Sequence, residues 1–338
     1  MRSFLVLRQM ALMWAWLLLS PLAWAQARIE TYPIDGAVIS GLTGGAVFIG
    51  DKHAHLNALR DELAAAPVIA KGASVDGRAD RWIAPAGVTV YLTGDLVDYK
   101  ATLSTTDYQA NLRMVDYLNH LATIARASRG AVIWTVGNHE IAYLRATVPG
   151  GRPDPRVLDL GNRLRTAILG SPGLPGFLRA VAVAGTDTMV SHGVIVWKLL
   201  ESLALATATP LAQMKNPAVF ARLANDALLY AAQRRVFASS IFKEDRGVAF
   251  RVASEEARNL STLPFTKNIV GHDWLYAISS GEPLFFVKRE GLRTLFLLCV
   301  DDGAGKLNAS TGRELTTIRF LVRATHDGQC YGRSWRLR

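Results

Sequence analysis

The chain reads as an α/β protein with a two-sheet core and helices outside it. Three observations predict this: apolar β-rich runs alternate with helical patterns through the first half, the middle is mostly helical, and the end is β-rich. The run "AVFIGD" (46–51) is a short strand candidate, followed by helical "LNALRDELAAA". A second strand, "VTVYLTGD" (88–95), precedes the long amphipathic pattern "YQANLRMVDYLNHLATIARAS", and "AVIWTVGNHE" (131–140) holds a third. Strand and helix in this order imply parallel crossovers, whose binding groups gather at the carboxyl ends of the strands. Each of the three runs ends in Gly-Asp or Gly-Asn. Glycine permits a sharp turn out of the strand, and the next side chain carries an oxygen able to bind a metal.

Further along, "VAVAGTDTMVSHG" (181–193) predicts two short strands about a turn at Gly185-Thr186-Asp187, with helical segments near 195–206 and 216–240. Then come "NIVGHD" (268–273) and the strand candidates "LFFVKR", "LRTLFLLCVDD" and "LTTIRFLVRA". Residues 66–87 are loop-like and long enough to be an insertion. No repeat or interdomain linker stands out, so residues 26–338 are expected to form one domain.

The chain has 338 residues, 50% of them hydrophobic, enough for one large core. Disorder is not expected as the main state. Of the 38 basic residues only nine are lysine, so the net charge of +10 is mostly guanidinium. No basic block or nucleic-acid module accompanies it, and nucleic acid is not expected as a partner. At the N-terminus, Arg2 and Arg8 precede an apolar run from Met10, which ends at Ala23-Trp24-Ala25 before Gln26. That is the pattern of an export signal over residues 1–25. The run is shorter than the roughly 20 residues of a spanning helix, so cleavage is expected, with no stable membrane anchor afterwards and a periplasmic or secreted product. Cys299 and Cys330 are the only cysteines. Either they pair in the oxidising compartment or Cys299 is a buried thiol. Two cysteines cannot build a thiolate framework, so a bound metal would need nitrogen and oxygen ligands.

Five motifs carry such ligands: Gly50-Asp51-Lys52-His53, Gly94-Asp95-Leu96-Val97-Asp98, Gly137-Asn138-His139-Glu140, Ser191-His192-Gly193 and Gly271-His272-Asp273. Their succession resembles the calcineurin-like metallophosphoesterase superfamily and, within it, the phosphoprotein phosphatases. The stretch "FLRAVAVAGTDTMVSHGV" is similar to the Shewanella-like bacterial branch. The resemblance implies a two-sheet αββα sandwich holding two divalent ions, with manganese, iron and zinc all open. Asp51 and His53 would bind the first ion, Asp95 would bridge, and Asn138, His192 and His272 would complete the second. Two such ions clamp a phosphate and acidify a shared water, so that metal-bound hydroxide attacks phosphorus. The resemblance also makes His139 the acid that protonates the leaving oxygen, oriented by Asp98. His55, His120 and His326 belong to no motif.

Departures from the family pattern bear on function. Ala54 stands where the first motif normally has glycine, which a methyl group satisfies unless the backbone there needs a positive φ. Tyr99-Lys100 replaces the Arg-Gly that grips the phosphate, leaving Tyr99 and Lys100 as substituted substrate contacts. Arg251, and after it Arg246, are candidates for a second phosphate-binding arginine. Gly271-His272-Asp273-Trp274 lacks the second histidine common in phosphodiesterase members. The expectation is an exported enzyme acting on phosphomonoesters, phosphoproteins among them. A phosphodiester or nucleotide hydrolase and a non-catalytic metal- or phosphate-binding protein are the alternatives, and the oligomeric state is open.

Overall fold

The structure is a computed structural model that describes residues 30–33, 45–237, 240–243, 247–249, 263–272, 284–290, 293–300, 318–324 and 330–336. The strands in chain order are β1 (Glu30–Pro33), β2 (Ala46–Ile49), β3 (Ile69–Ala70), β4 (Arg81–Trp82), β5 (Thr89–Leu92), β6 (Ala131–Thr135), β7 (Leu178–Arg179), β8 (Ala182–Ala184), β9 (Thr188–Ser191), β10 (Lys267–Val270), β11 (Leu284–Glu290), β12 (Arg293–Cys299), β13 (Ile318–Ala324) and β14 (Cys330–Arg336). The helices are α1 (Leu56–Ala65), α2 (Thr105–Ala127), α3 (Asn138–Ala146), α4 (Pro155–Leu169), α5 (Trp197–Thr207), α6 (Leu211–Met214) and α7 (Pro217–Arg234).

Among the described residues one sheet runs β1-β14-β13-β2-β5-β6-β7 and a second runs β11-β12-β10-β9-β8. In the first, β2, β5, β6 and β7 are parallel, with β13 antiparallel to β2. In the second, β9, β10 and β12 are parallel. The parallel strands are short and mostly covered; every residue of β2 and β9 is buried. The expected hairpin about Gly185-Thr186-Asp187 is the antiparallel pair β8–β9. All five motifs therefore leave their strands at carboxyl ends, three from one sheet and two from the other. Cys299 and Cys330 lie in different sheets, and the Cys299 thiol donates to Gly271 O at 3.3 Å.

Local chemistry sets the helix limits. The α2 helix begins three residues before the expected segment because Ser104 caps it, accepting from Asp107 N. Its buried face carries Met114, Tyr117, Leu118 and Leu121. The last long helix stops at Arg234 rather than near 240, since Arg235 turns left-handed with φ 56°. Three helices had no counterpart in the sequence reading, α3, α4 and the one-turn α6; α4 starts on an Asp154 cap with Pro155 at its first turn. Among the described residues no helix is long and apolar enough to cross a membrane.

Residues 66–87 contain the small β3–β4 ladder, anchored by one carboxylate. Asp80 accepts from Arg60 Nε (2.8 Å), Arg60 Nη2 (2.7 Å), Gly72 N (2.8 Å) and Tyr117 Oη (3.1 Å). His120, which had no motif, contributes Nε2 at 3.3 Å from Asp80 O. Burial opposes ionisation of Asp80, but the Arg60 bonds and the Gly72 amide outweigh it and hold the pKa low. Asp80→Ala is expected to cost about 1.5–3 kcal/mol, the range for a hydrogen bond to a charged partner. A carboxylate with a depressed folded pKa contributes stability above its unfolded value, about 4, and loses it as pH falls through the folded value. Urea unfolding should therefore show a gap between wild type and variant at pH 7 that closes on acidification below about pH 4; a gap independent of pH would refute the ionised pair.

Candidate metal centre

The first motif leaves β2 through a corner in which Lys52 N and His53 N donate to Asp95 O at 3.0 and 2.8 Å, so the loops carrying Asp51 and Asp95 are tied together by backbone. Glycines permit the approach. A Cβ on Gly94, whose φ is +97°, would lie 2.8 Å from both Gly137 N and His192 Nδ1, and one on Gly271 would lie 2.3 Å from Asp51 Oδ1. The Gly-Asp and Gly-His signature thus reflects close packing of loops as well as a turn.

His192 is fully buried, and its Nδ1 lies 2.7 Å from Thr93 O. A carbonyl only accepts, so Nδ1 bears the hydrogen and Nε2 presents a lone pair, the arrangement that a hydrogen bond from the far ring nitrogen imposes on metal-binding histidines. That Nε2 stands 3.1 Å from Asn138 Oδ1, 3.0 Å from His272 Nδ1 and 3.4 Å from Asp95 Oδ2. Asp51 joins them: its Oδ2 accepts from His272 N at 3.3 Å, while Oδ1 is buried with no hydrogen bond. Asp51, Asp95, His192 and His272 each offer one ligand atom, and all four atoms lie within 4.8 Å of one another. His53, Asp95 and His139 form a second such group. Asp95 belongs to both.

These residues fit divalent cations. Lone-pair atoms of two carboxylates, an amide and imidazoles converge, and the buried Asp51 oxygen lacks a donor. Burial disfavours charge on Asp95, yet His192 and then His139 hold its pKa well down. Asp51 is lowered against its own burial, chiefly by His192. The same carboxylates raise His192 despite its burial. A site that draws a proton this strongly draws a cation by the same field. The oxygen–imidazole set suits manganese, iron or zinc.

Every residue expected as a ligand (Asp51, His53, Asp95, Asn138, His192 and His272) is brought to this centre. The grouping differs in one respect from the expected division: Asp51 clusters with His192 and His272, while His53 shares its group with His139. His55 is exposed at the start of α1.

Beside the centre, Asp98 Oδ1 lies 3.4 Å from His139 Nδ1 and 3.7 Å from His53 Nδ1. Burial is outweighed by the bonds from His139 and His53, so the Asp98 carboxyl sits far below its usual range. Tyr99 N also donates to His139 Nδ1, at 2.7 Å. The Tyr99 ring is half-buried and rests edge-on against Tyr143, centroids 5.0 Å apart. Lys100 is exposed and already pairs with Asp107 at 2.7 Å and Asp98 at 3.7 Å. Arg251, Arg246 and Asp273 lie outside the described residues.

Sequence reasoning missed the residues that hold these loops. Glu140 is fully buried and accepts four backbone amides: Asp95 N (2.8 Å), Leu96 N (2.9 Å), Val97 N (3.1 Å) and Gly137 N (2.7 Å). Burial and the Asp95 charge push its pKa to about 7, while the amides pull the other way. Asn111 clamps Asp98, accepting from its N–H at 2.7 Å and donating to its carbonyl at 3.1 Å, and Tyr143 Oη donates to the same carbonyl at 2.8 Å. The only sequence signal for Glu140 was its place in the third motif; Asn111 and Tyr143 had none.

Ala54 is left-handed, with φ 64°, so the missing glycine does matter. An L-residue there is strained by about 1–2 kcal/mol, partly offset because alanine has less freedom to lose from the unfolded chain. Ala54→Gly should raise stability by about 0.5–1 kcal/mol in urea unfolding; a loss would show that the methyl packs usefully.

No protein-family model and no curated protein sequence matches the chain. Solved structures do. A cold-active protein-tyrosine phosphatase of a psychrophile Shewanella sp. is similar over 87% of this chain and 81% of its own, with 16% identity and a TM-score of 0.43. A further structure of a cold-active protein tyrosine phosphatase, at 1.1 Å, covers 85% of this chain and 78% of its own, with 16% identity and a TM-score of 0.44. The phosphatase domain of the Legionella effector WipB covers 67% of this chain and 98% of its own, with 12% identity and a TM-score of 0.41.

Proposed function

We propose that this chain is an exported, dinuclear-metal phosphoesterase that hydrolyses phosphomonoesters, phosphoproteins included, with the αββα sandwich of the calcineurin-like metallophosphoesterases and their Shewanella-like phosphoprotein phosphatase branch. The observation that carries the reading is the position of Asp95, whose carboxylate is shared by two groups of ligand atoms, with the Asp98–His139 pair at their edge. Asp51, Asn138, His192 and His272 would hold one cation with Asp95, and His53 the other, again with Asp95. Bound divalent cations supply charge against the phosphoryl oxygens and acidify water for attack.

The chain's own residues do the rest. Asp95 neutralises both positions. Thr93 O keeps His192 in the tautomer that binds metal. His139 delivers a proton to the leaving oxygen: its neutral ring accepts from Tyr99 N, and Asp98 becomes the partner of Nδ1 once the ring is an imidazolium. Tyr99 lends the site its backbone amide more than its ring. Substrate charge is met by the cations, with Lys100 available only if it leaves Asp107. The mature chain, a single domain from Gln26 with 66–87 as an insertion, is exported through the cleaved segment 1–25.

The test is metal analysis of the purified mature protein together with paired aryl phosphomonoester and diester substrates. Two equivalents of manganese, iron or zinc and preferential monoester cleavage support the reading. Preference for the diester moves the assignment to phosphodiester hydrolysis, and bound metal without turnover moves it to a binding protein.

A further inference from the structure

The first motif contains a charged residue that the proposed chemistry does not use. Lys52, between ligands Asp51 and His53, is fully buried, as is Glu62 on α1, and Lys52 Nζ lies 3.0 Å from Glu62 Oε1. The same Nζ donates to Asp51 O at 3.0 Å. Two long charged side chains removed from water are a costly way to fill a core, and an apolar pair of similar volume would serve as well or better for stability alone. Their placement is informative. Immediately after Lys52 the chain takes two consecutive left-handed residues, His53 (φ 41°) and Ala54 (φ 64°). Such strain persists only where surroundings over-determine the backbone. On one side the corner is held by the amides of Lys52, His53 and Ala54, which donate to Asp95 O and Leu96 O. On the other side Lys52 reaches to α1.

We infer that Lys52 and Glu62 form a buried clamp that positions Asp51 and His53 for metal binding, Lys52 fixing the Asp51 carbonyl and Glu62 holding and neutralising the ammonium. The neutralisation matters because an uncompensated cation here would repel divalent ions. Both are positioning residues, acting through Asp51 and His53. The inference rests on the proposed role of those two as ligands.

The test uses the full mature protein, stripped with chelator, and reads two quantities: the Mn²⁺ dissociation constant by competition with a chelating dye, and the melting temperature without metal. The double variant Lys52→Met/Glu62→Leu replaces the pair by apolar groups of similar size. It is expected to melt within a few degrees of wild type yet bind Mn²⁺ about 10–100-fold more weakly, the loss typical of outer-shell partners of a metal site. A role confined to packing would leave affinity unchanged. Glu62→Gln keeps the volume and an acceptor for Lys52, and carries the same test should the double variant not fold. It removes the negative charge that Glu62 sets against the ammonium, so Mn²⁺ binding should weaken at least about threefold by charge repulsion. Affinity within twofold of wild type in whichever variant folds overturns the clamp. If wild type itself binds no Mn²⁺, Zn²⁺ or Fe²⁺, the metal-centre reading fails instead, which separates the two.

Discussion

Asp95→Asn is expected to abolish hydrolysis and to lower occupancy at both metal positions together. An amide keeps an oxygen that can accept from His139 N, the contact Asp95 Oδ1 makes at 2.9 Å, so the loop should stay in place. What is lost is the one charge shared by both ligand groups. The drop should exceed the roughly 10–100-fold that outer-shell changes cost in affinity or rate. In the metal-free protein Asp95, despite its burial, is held ionised by His192 and His139, so the variant should melt lower than metal-free wild type yet remain folded at the assay temperature. Lost metal with a retained fold, read by circular dichroism, separates ligand removal from unfolding. His272→Ala, by contrast, should weaken mainly one position, because His272 belongs to one group only. Unchanged metal content and rate in Asp95→Asn would end the dinuclear reading.

His139→Ala should lower kcat by about 10²–10⁴-fold for an alkyl phosphate, the usual worth of a positioned general acid, with little change in KM. The loss should shrink for a nitrophenyl phosphate, whose leaving group departs without a proton. Geometry motivates the expectation: the ring sits at the rim, half-buried, with Nε2 3.7 Å from Asp95 Oδ2, while Nδ1 accepts from Tyr99 N and lies 3.4 Å from Asp98 Oδ1. His139 also falls in the His53–Asp95 group, so it could instead be a ligand. In that case Mn²⁺ affinity would fall with kcat, and the penalty would be equal for good and poor leaving groups.

The strand ends and the candidate ligands they carry were legible in the sequence. A parallel strand buried on both faces reads as a largely apolar run, as β2 does, and a side chain one to three residues beyond such a strand travels with it. That is why Asp51, Asp95, Asn138, His192 and His272, singled out by the resemblance of their motifs, were expected at strand ends, and why the hairpin at Gly185 and the long helix α2 emerged close to their observed limits. By itself the sequence determined these local units and the residue types fit for a metal. Only the tertiary structure decided how they combine. The partners of Glu140 are more than 40 residues away except for Gly137, and the Thr93 carbonyl that sets the His192 tautomer is 99 residues distant. The sign of φ at Ala54 depends on amides docking onto another loop, and Lys52 meets Glu62 only because α1 folds back over its own strand end. Local propensity acts over a few residues; hydrogen bonds and charge pairs act over a few ångströms, and only packing converts one scale into the other.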